Sequence, residues 1–165
     1  MRFLVLAIIA LTLSSPVHSQ VRRINPATLS PPTGYSHITI GPDGRTVHIA
    51  GQVAMDARGQ LVGAGDFRAQ AAKVFENLRL ALEAVGASFD DVLKMTTYVT
   101  DASQVAAFRE VRNVVLRPDQ LPANTFVEVR ALARPEWLIE IEAVAMLGGA
   151  RQAPARGAPS GTSSS

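Results

Sequence analysis

The chain has 165 residues, 47% of them apolar and 18% charged, which suits one domain with tails and excludes wholesale disorder. Cysteine is absent, so a disulfide scaffold, a thiolate zinc site and a cysteine nucleophile are all excluded. A net charge of +2, from 16 basic and 14 acidic residues, gives a poor electrostatic footprint for nucleic acid.

The first elements belong to targeting rather than to the fold. Arg2 precedes the apolar run FLVLAIIALTL, Pro16 breaks it, and Val17-His18-Ser19 supplies modest residues for a signal peptidase. Residues 1–19 read as an export leader, with the mature chain starting near Gln20 in the periplasm or outside the cell. The apolar run falls short of the ~20 residues needed to span a bilayer. No cysteine stands near the cut to carry a lipid, so cleavage would leave no stable membrane anchor. The rival reading is an uncleaved anchor.

Residues 22–147 carry the fold. His37 to Ile49 (HITIGPDGRTVHI) is a hairpin about Pro42-Asp43-Gly44, where proline presets the turn and glycine supplies a positive φ. A second turn is expected at Asp56 to Gly59. Asp66 then caps a long helix with Phe67, Ala71, Val74, Leu78, Leu82 and Val85 on its buried stripe, closed by Gly86. Val92 to Thr100 is a β-branched, alternating strand, with Leu93, Met95, Thr97 and Val99 on one face and Lys94, Thr96 and Tyr98 on the other. Asp101 caps a second helix that buries Val105, Phe108, Val111 and Val115 and stops before Pro118.

Strands at 125–129 and 137–145 complete the order β-β-helix-β-helix-β-β. Helices laid over one sheet make this an α+β fold of two layers, with both helices on one face, rather than a doubly wound one. From Gly148 onward the chain is glycine, alanine, proline and serine with two arginines, which reads as a disordered tail over 148–165.

The chemistry-bearing positions are few. Glu140 and Glu142, two apart on the last strand, share a face opposite Trp137, Ile139, Ile141 and Ala143. Such a pair is either solvated or faces a partner and a ligand. Leu138, Val144 and Met146 share the glutamate face, which argues for cover by another subunit. His37 and His48 have no third histidine in the mature chain and no HxxxH spacing, so no metal site is expected, nor any cofactor. No GxSxG is present, and Gly59, Gly63 and Gly65 are spaced as turn residues rather than as a phosphate loop. Arginines 109, 112, 117, 130 and 134 read as a solvated basic face. With 5% aromatics there is little for nucleic-acid bases to stack on, and no nucleic-acid partner is expected.

The segments GQVAMDARGQLVG, QAAKVFENLRLALEAVGASFDDVLKMTTYVTD, LPANTFVEV and IEIEAVA together resemble the Rid (YjgF-like) family, the enamine/imine deaminase superfamily, over about residues 32–147. The resemblance implies a chorismate-mutase-like α+β fold and a homotrimer with small-molecule clefts between subunits. It implies that an arginine after a Pro-Ala pair holds the substrate carboxylate, through the two charge-assisted bonds a guanidinium fork can make. It also implies that the first glutamate of IEIE, here Glu140, helps position the attacking water.

Tyr35 and the Ala50-Gly51-Gln52 turn match the family's cleft positions. The arginine does not match: the motif reads Pro122-Ala123-Asn124-Thr125, with Asn124 in its place. Asparagine cannot neutralise a buried carboxylate, a loss on the order of 2–5 kcal/mol. Ordinary 2-aminoacrylate-type deamination is therefore expected to be weak or absent, unless Arg109 or Arg117 reaches into the cleft instead. Three functions follow: a small-molecule binder, a hydrolase of imines that lack a carboxylate, or an RNA-directed nuclease or translation inhibitor. Export argues against the last.

Overall fold

The computed structural model describes residues 21–33, 35–41 and 45–147. The leader assigned to 1–19, the tail at 148–165 and the Pro42-Asp43-Gly44 turn lie outside the described residues.

Six strands and two helices follow in the order β1 (Arg22–Ile24), β2 (Ile38–Ile40), β3 (Thr46–Gln52), α1 (Phe67–Glu83), β4 (Val92–Val99), α2 (Val105–Val115), β5 (Ala123–Glu128) and β6 (Ile139–Met146). One sheet takes them in the order β1-β2-β3-β6-β4-β5. Every neighbouring pair is antiparallel except β4 with β5, which α2 joins as a parallel crossover. The architecture is the α+β layering that the periodicity predicts.

Asp66 caps α1 by accepting from the Ala69 amide at 3.1 Å. Past its end, Gly86 adopts φ +75° and the Ala87 amide reaches back to the Leu82 carbonyl at 2.9 Å. Phe67, Ala71, Val74, Leu78 and Leu82 are all buried and pack with Ile139, Ile141, Ala143 and Ala145 of β6 in one core. An aromatic chain ties α2 into this core. Phe75 of α1 stacks with Phe108 of α2 at 5.9 Å, and Phe108 meets Phe126 of β5 at 5.1 Å. Asp101 caps a short 3-10 turn, Ala102–Gln104, that runs directly into α2.

Four expectations need correction. The edge strand β1 has only three residues, two of them arginine, and lacks the alternation that would announce it. Leu93 does not share the buried face of Met95, Thr97 and Val99 but is 50% exposed, because β4 shifts register against β6 between Val92 and Lys94 and the extra residue turns outward. Val115 lies on the exposed side of α2, whose fully buried residues are Ala107 and Phe108. The last strand begins at Ile139, so Trp137 and Leu138 precede it: Leu138 packs against the core rather than on the glutamate face, and Trp137 serves elsewhere.

Candidate functional site

The face of the sheet away from the helices carries the polar positions. Register places Tyr98 opposite Glu140 and Thr96 opposite Glu142 across β4 and β6, so their side chains share this face. The Tyr98 hydroxyl donates to Glu142 at 3.3 Å. Lys94, on the same face, bonds the Thr125 hydroxyl across to β5. Among the described residues Glu142 is exposed on this face, and Lys94, Thr96, Tyr98 and Val144 are half-buried.

At the end of β6 where Glu140 sits, an open pocket of about 320 Å³ is walled by Tyr35, Gly51, Val53, Met55, Trp137 and Glu140, with Ala50 and Ala133 between them. Its geometry begins with a bulge. Ile49 pairs with Ala143 and Gln52 with Ile141, so Ala50 and Gly51 together oppose the single residue Glu142. The bulge turns the Gly51 backbone towards Glu140, and the carboxylate lies against it. A Cβ at position 51 would stand 1.8 Å from Glu140 Oε1. Only glycine leaves room for the carboxylate to rest there.

Two buried amides on α1 hold the pocket walls. Asn77 donates through Nδ2 to the carbonyls of Val53 and Met55, at 2.9 Å each. Gln70, two helical turns earlier and wholly buried, donates to the Glu136 carbonyl at 2.9 Å and accepts from the Leu138 amide at 2.9 Å. It thereby clamps the segment that presents Trp137. The seven-residue spacing puts both amides on one face of α1, aimed at two different loops. Neither emerges as a site residue from the sequence alone. The available signal was their polarity within an otherwise apolar stripe.

A third support lies under Tyr35. His37 is buried, its Nε2 is 2.9 Å from the Ser30 carbonyl, and its Nδ1 is 3.3 Å from Gln52 Nε2. The carbonyl can only accept, so Nε2 carries the proton and Gln52 donates to Nδ1. Tyr35 packs edge-on against this imidazole, ring centroids 5.2 Å apart.

Burial, reinforced by the neighbouring Glu142 charge, raises the Glu140 pKa above its ordinary value. Burial and the Glu140 charge likewise raise the Tyr35 phenol, which therefore stays protonated as a donor. A carboxyl biased towards holding a proton, beside a phenol and an apolar wall, can hand a proton to a bound nitrogen or oxygen or position a water. No lining residue is cationic. Among the described residues no group of three or more histidine, aspartate or glutamate side chains is placed to hold a metal ion.

Of the site residues named from the sequence, Tyr35, Ala50, Gly51 and Glu140 meet at this pocket. Gln52 stands behind it, turned to His37. Asn124 does not join them in one subunit. It pairs with Met95 across β5 and β4 and accepts from the buried Thr97 hydroxyl at 3.3 Å, so it faces the helix side of the sheet, opposite Glu140. Arg109 is on the exposed surface of α2, in the helical layer, and Arg117 pairs with Asp119 at 3.3 Å at the exit of α2. Neither arginine lines the pocket.

The family described as Endoribonuclease L-PSP matches residues 26–147. The 2-iminobutanoate/2-iminopropanoate deaminase of Mus musculus is 35% identical over 105 residues, covering 63% of this chain and 76% of that protein. The crystal structure of RidA from an Antarctic Psychrobacter superposes with a TM-score of 0.69 at 33% identity, covering 76% of this chain and 99% of that one. The Rid-family protein YyfB of Yersinia pestis is 44% identical with a TM-score of 0.60, covering 77% of this chain and 98% of that one. A match across nearly all of the described fold, together with relatives of this kind, places the chain in the Rid (YjgF-like) family.

Proposed function

We propose that this protein is an exported, homotrimeric Rid-family protein that binds a small molecule in the Glu140 pocket at a boundary between subunits. Turnover of small carboxylate imines of the 2-aminoacrylate type is weak or absent in it. The observation that carries this reading is a pocket lined by the Glu140 carboxyl, seated against Gly51, with no cation in its lining.

Hydrolysis of an imine adds water across C=N and releases ammonia and a carbonyl compound. Glu140 is equipped to position that water or to protonate the departing nitrogen. What the lining lacks is a partner for a substrate carboxylate. Asn124 is on the other face of its own sheet, so any part it plays is at the pocket of another copy. The uncovered glutamate face, mixing Tyr98, Glu142, Val144 and Met146, is the surface that suits such a copy. A deaminase acting on a different imine is the second reading, favoured by the retained Glu140 against apolar Val53, Met55 and Trp137.

The experiment generates 2-iminopropanoate in situ from alanine with an amino-acid oxidase and follows ammonia release, on the chain from Gln20 whose mass has been read by light scattering. The expected result is three times the monomer mass, little acceleration by the wild type, and a gain with Asn124→Arg expressed mostly as apparent affinity. Strong wild-type acceleration that Glu140→Gln abolishes would replace the binder with the deaminase. A monomer at micromolar concentration would remove the interfacial site.

A further inference from the structure

Arg134 and Trp137 are the two ends of one tight turn. The Trp137 amide donates to the Arg134 carbonyl at 3.2 Å, and Pro135 takes the second position, where its fixed φ suits the turn. Closing the turn lays the Arg134 guanidinium over the indole, with Cζ 5.2 Å from the ring centroid. Gln70 fixes the next two links of the chain, through the Glu136 carbonyl and the Leu138 amide. The cation–π pair is therefore anchored to α1.

Stacking engages the face of a guanidinium and leaves its in-plane N–H groups free for a planar, two-oxygen acceptor. Among the described residues no carboxylate pairs with Arg134, whereas Arg58, Arg68, Arg79 and Arg117 each have one. Arg134 follows Ala133, which lines the Glu140 pocket, and it covers Trp137, which lines it too. Arg134 thus stands at the edge of the pocket, beside Ala133 and Trp137, while Val53, Met55 and the Glu140 carboxyl resting on Gly51 line it.

We propose that Arg134 is the specificity-determining residue of this pocket and selects an anionic ligand. The ligand's carboxylate pairs with the guanidinium held on Trp137, its apolar body lies along Val53 and Met55, and its opposite end meets Glu140. The inference rests on the reading above that the Glu140 pocket is the ligand site. It departs from that reading's expectation for the anchor: the charge comes from the same wall as Trp137, not from position 124. It therefore favours molecules long enough to keep a carboxylate and a hydrogen-bonding nitrogen apart.

Trp137 is the only tryptophan in the chain, so its emission reports on this wall directly. The test titrates the full mature chain with benzoate, its neutral isostere benzamide, and benzylamine, reading Trp137 fluorescence and heat of binding. Benzoate should bind saturably and about tenfold more tightly than benzamide. Arg134→Gln should erase that preference, and Arg134→Lys should restore only part of it, because an ammonium offers no fork. Arg134 is exposed, so both variants keep the fold. Benzylamine binding that depends on Glu140, with benzoate indifferent to Arg134, would overturn the anchor and leave the pocket standing. A Trp137 signal unmoved by all three probes would overturn both.

Discussion

Gly51→Ala separates the position of the Glu140 carboxylate from the stability of the fold. The added Cβ would stand 1.8 Å from Oε1, 2.7 Å from Cδ and 2.9 Å from Cγ of Glu140. Carbon–oxygen contacts settle near ~3.3 Å, so the carboxylate must retreat by roughly 1.5 Å. Position 51 has no positive φ, and its backbone accepts alanine. Swinging Glu140 off its preferred rotamer costs about 0.5–1.5 kcal/mol. The lower entropy of alanine in the unfolded chain offsets ~0.4–1 kcal/mol of this. The net change is within about 1 kcal/mol, a shift in Tm of no more than ~4 °C.

The carboxylate itself changes far more. A displacement beyond ~1 Å is enough to cost on the order of a hundredfold in any step that depends on its placement. Once it moves from its sheltered seat, its titration should also fall back towards the ordinary value of 4.5. Carbon-13 NMR of the Glu140 carboxyl, with thermal unfolding of the same sample, reads both quantities. An unmoved Glu140 midpoint together with a Tm lowered by 10 °C or more would mean that the β3 backbone absorbed the clash. The glycine would then be a packing device rather than a seat for the carboxylate.

Two further outcomes follow from the same geometry. Gln70→Leu leaves the Gly63 and Glu136 carbonyls and the Leu138 amide without their partner. It should cost about 2–4 kcal/mol and shift Trp137 emission to the red, and an unchanged emission maximum would show that the turn holds without the clamp. Because the Glu140 pKa is raised in the folded state, ionising it there is harder than in the unfolded chain. Its contribution is most favourable below its ordinary value of 4.5 and is lost as pH rises through the folded value. Glu140→Gln should therefore be more stable than the wild type near neutral pH and lose that advantage below 4.5, as urea titrations across pH would show. An advantage that grows in acid would reverse the sign of this reasoning.

Much of the fold can be read from local rules. Asp66, the apolar spacing from Phe67 to Leu82, and Gly86 fix α1 to within a few residues, because caps and a single buried stripe are local properties. What escapes is set by pairing. The outward turn of Leu93 depends on a register shift between β4 and β6, and strict alternation along β4 has no way to register a partner strand. Trp137 looks like the first inward residue of β6 by parity, yet the turn at Pro135 delays the strand until Ile139.

The site follows the same division. Glu140 and Gly51 are conspicuous separately, one as a carboxyl on an apolar strand and the other within a turn-like triplet. Their dependence on each other needs the bulge at Ala50-Gly51, which exists only once β3 meets β6. Gln70 and Asn77 are hidden for a related reason. Each satisfies backbone groups of loops distant in sequence, 66 and 22 to 24 positions away. The face on which Asn124 lies is likewise a matter of register with β4.

The position of β6 decides when this molecule can exist. The last strand among the described residues is an interior strand of the sheet, between β3 and β4, which do not pair with each other. Until residues 139–146 are present, the meander of β1 to β3 and the crossover unit of β4, α2 and β5 are two fragments with raw inner edges. Synthesis from the N-terminus therefore cannot close the sheet until residue 146 has emerged, and the contacts of β6 with β3 are ones of high sequence separation. Glu140 arrives on that same keystone strand, so a partial chain has no pocket: assembly of the sheet and creation of the site are one event.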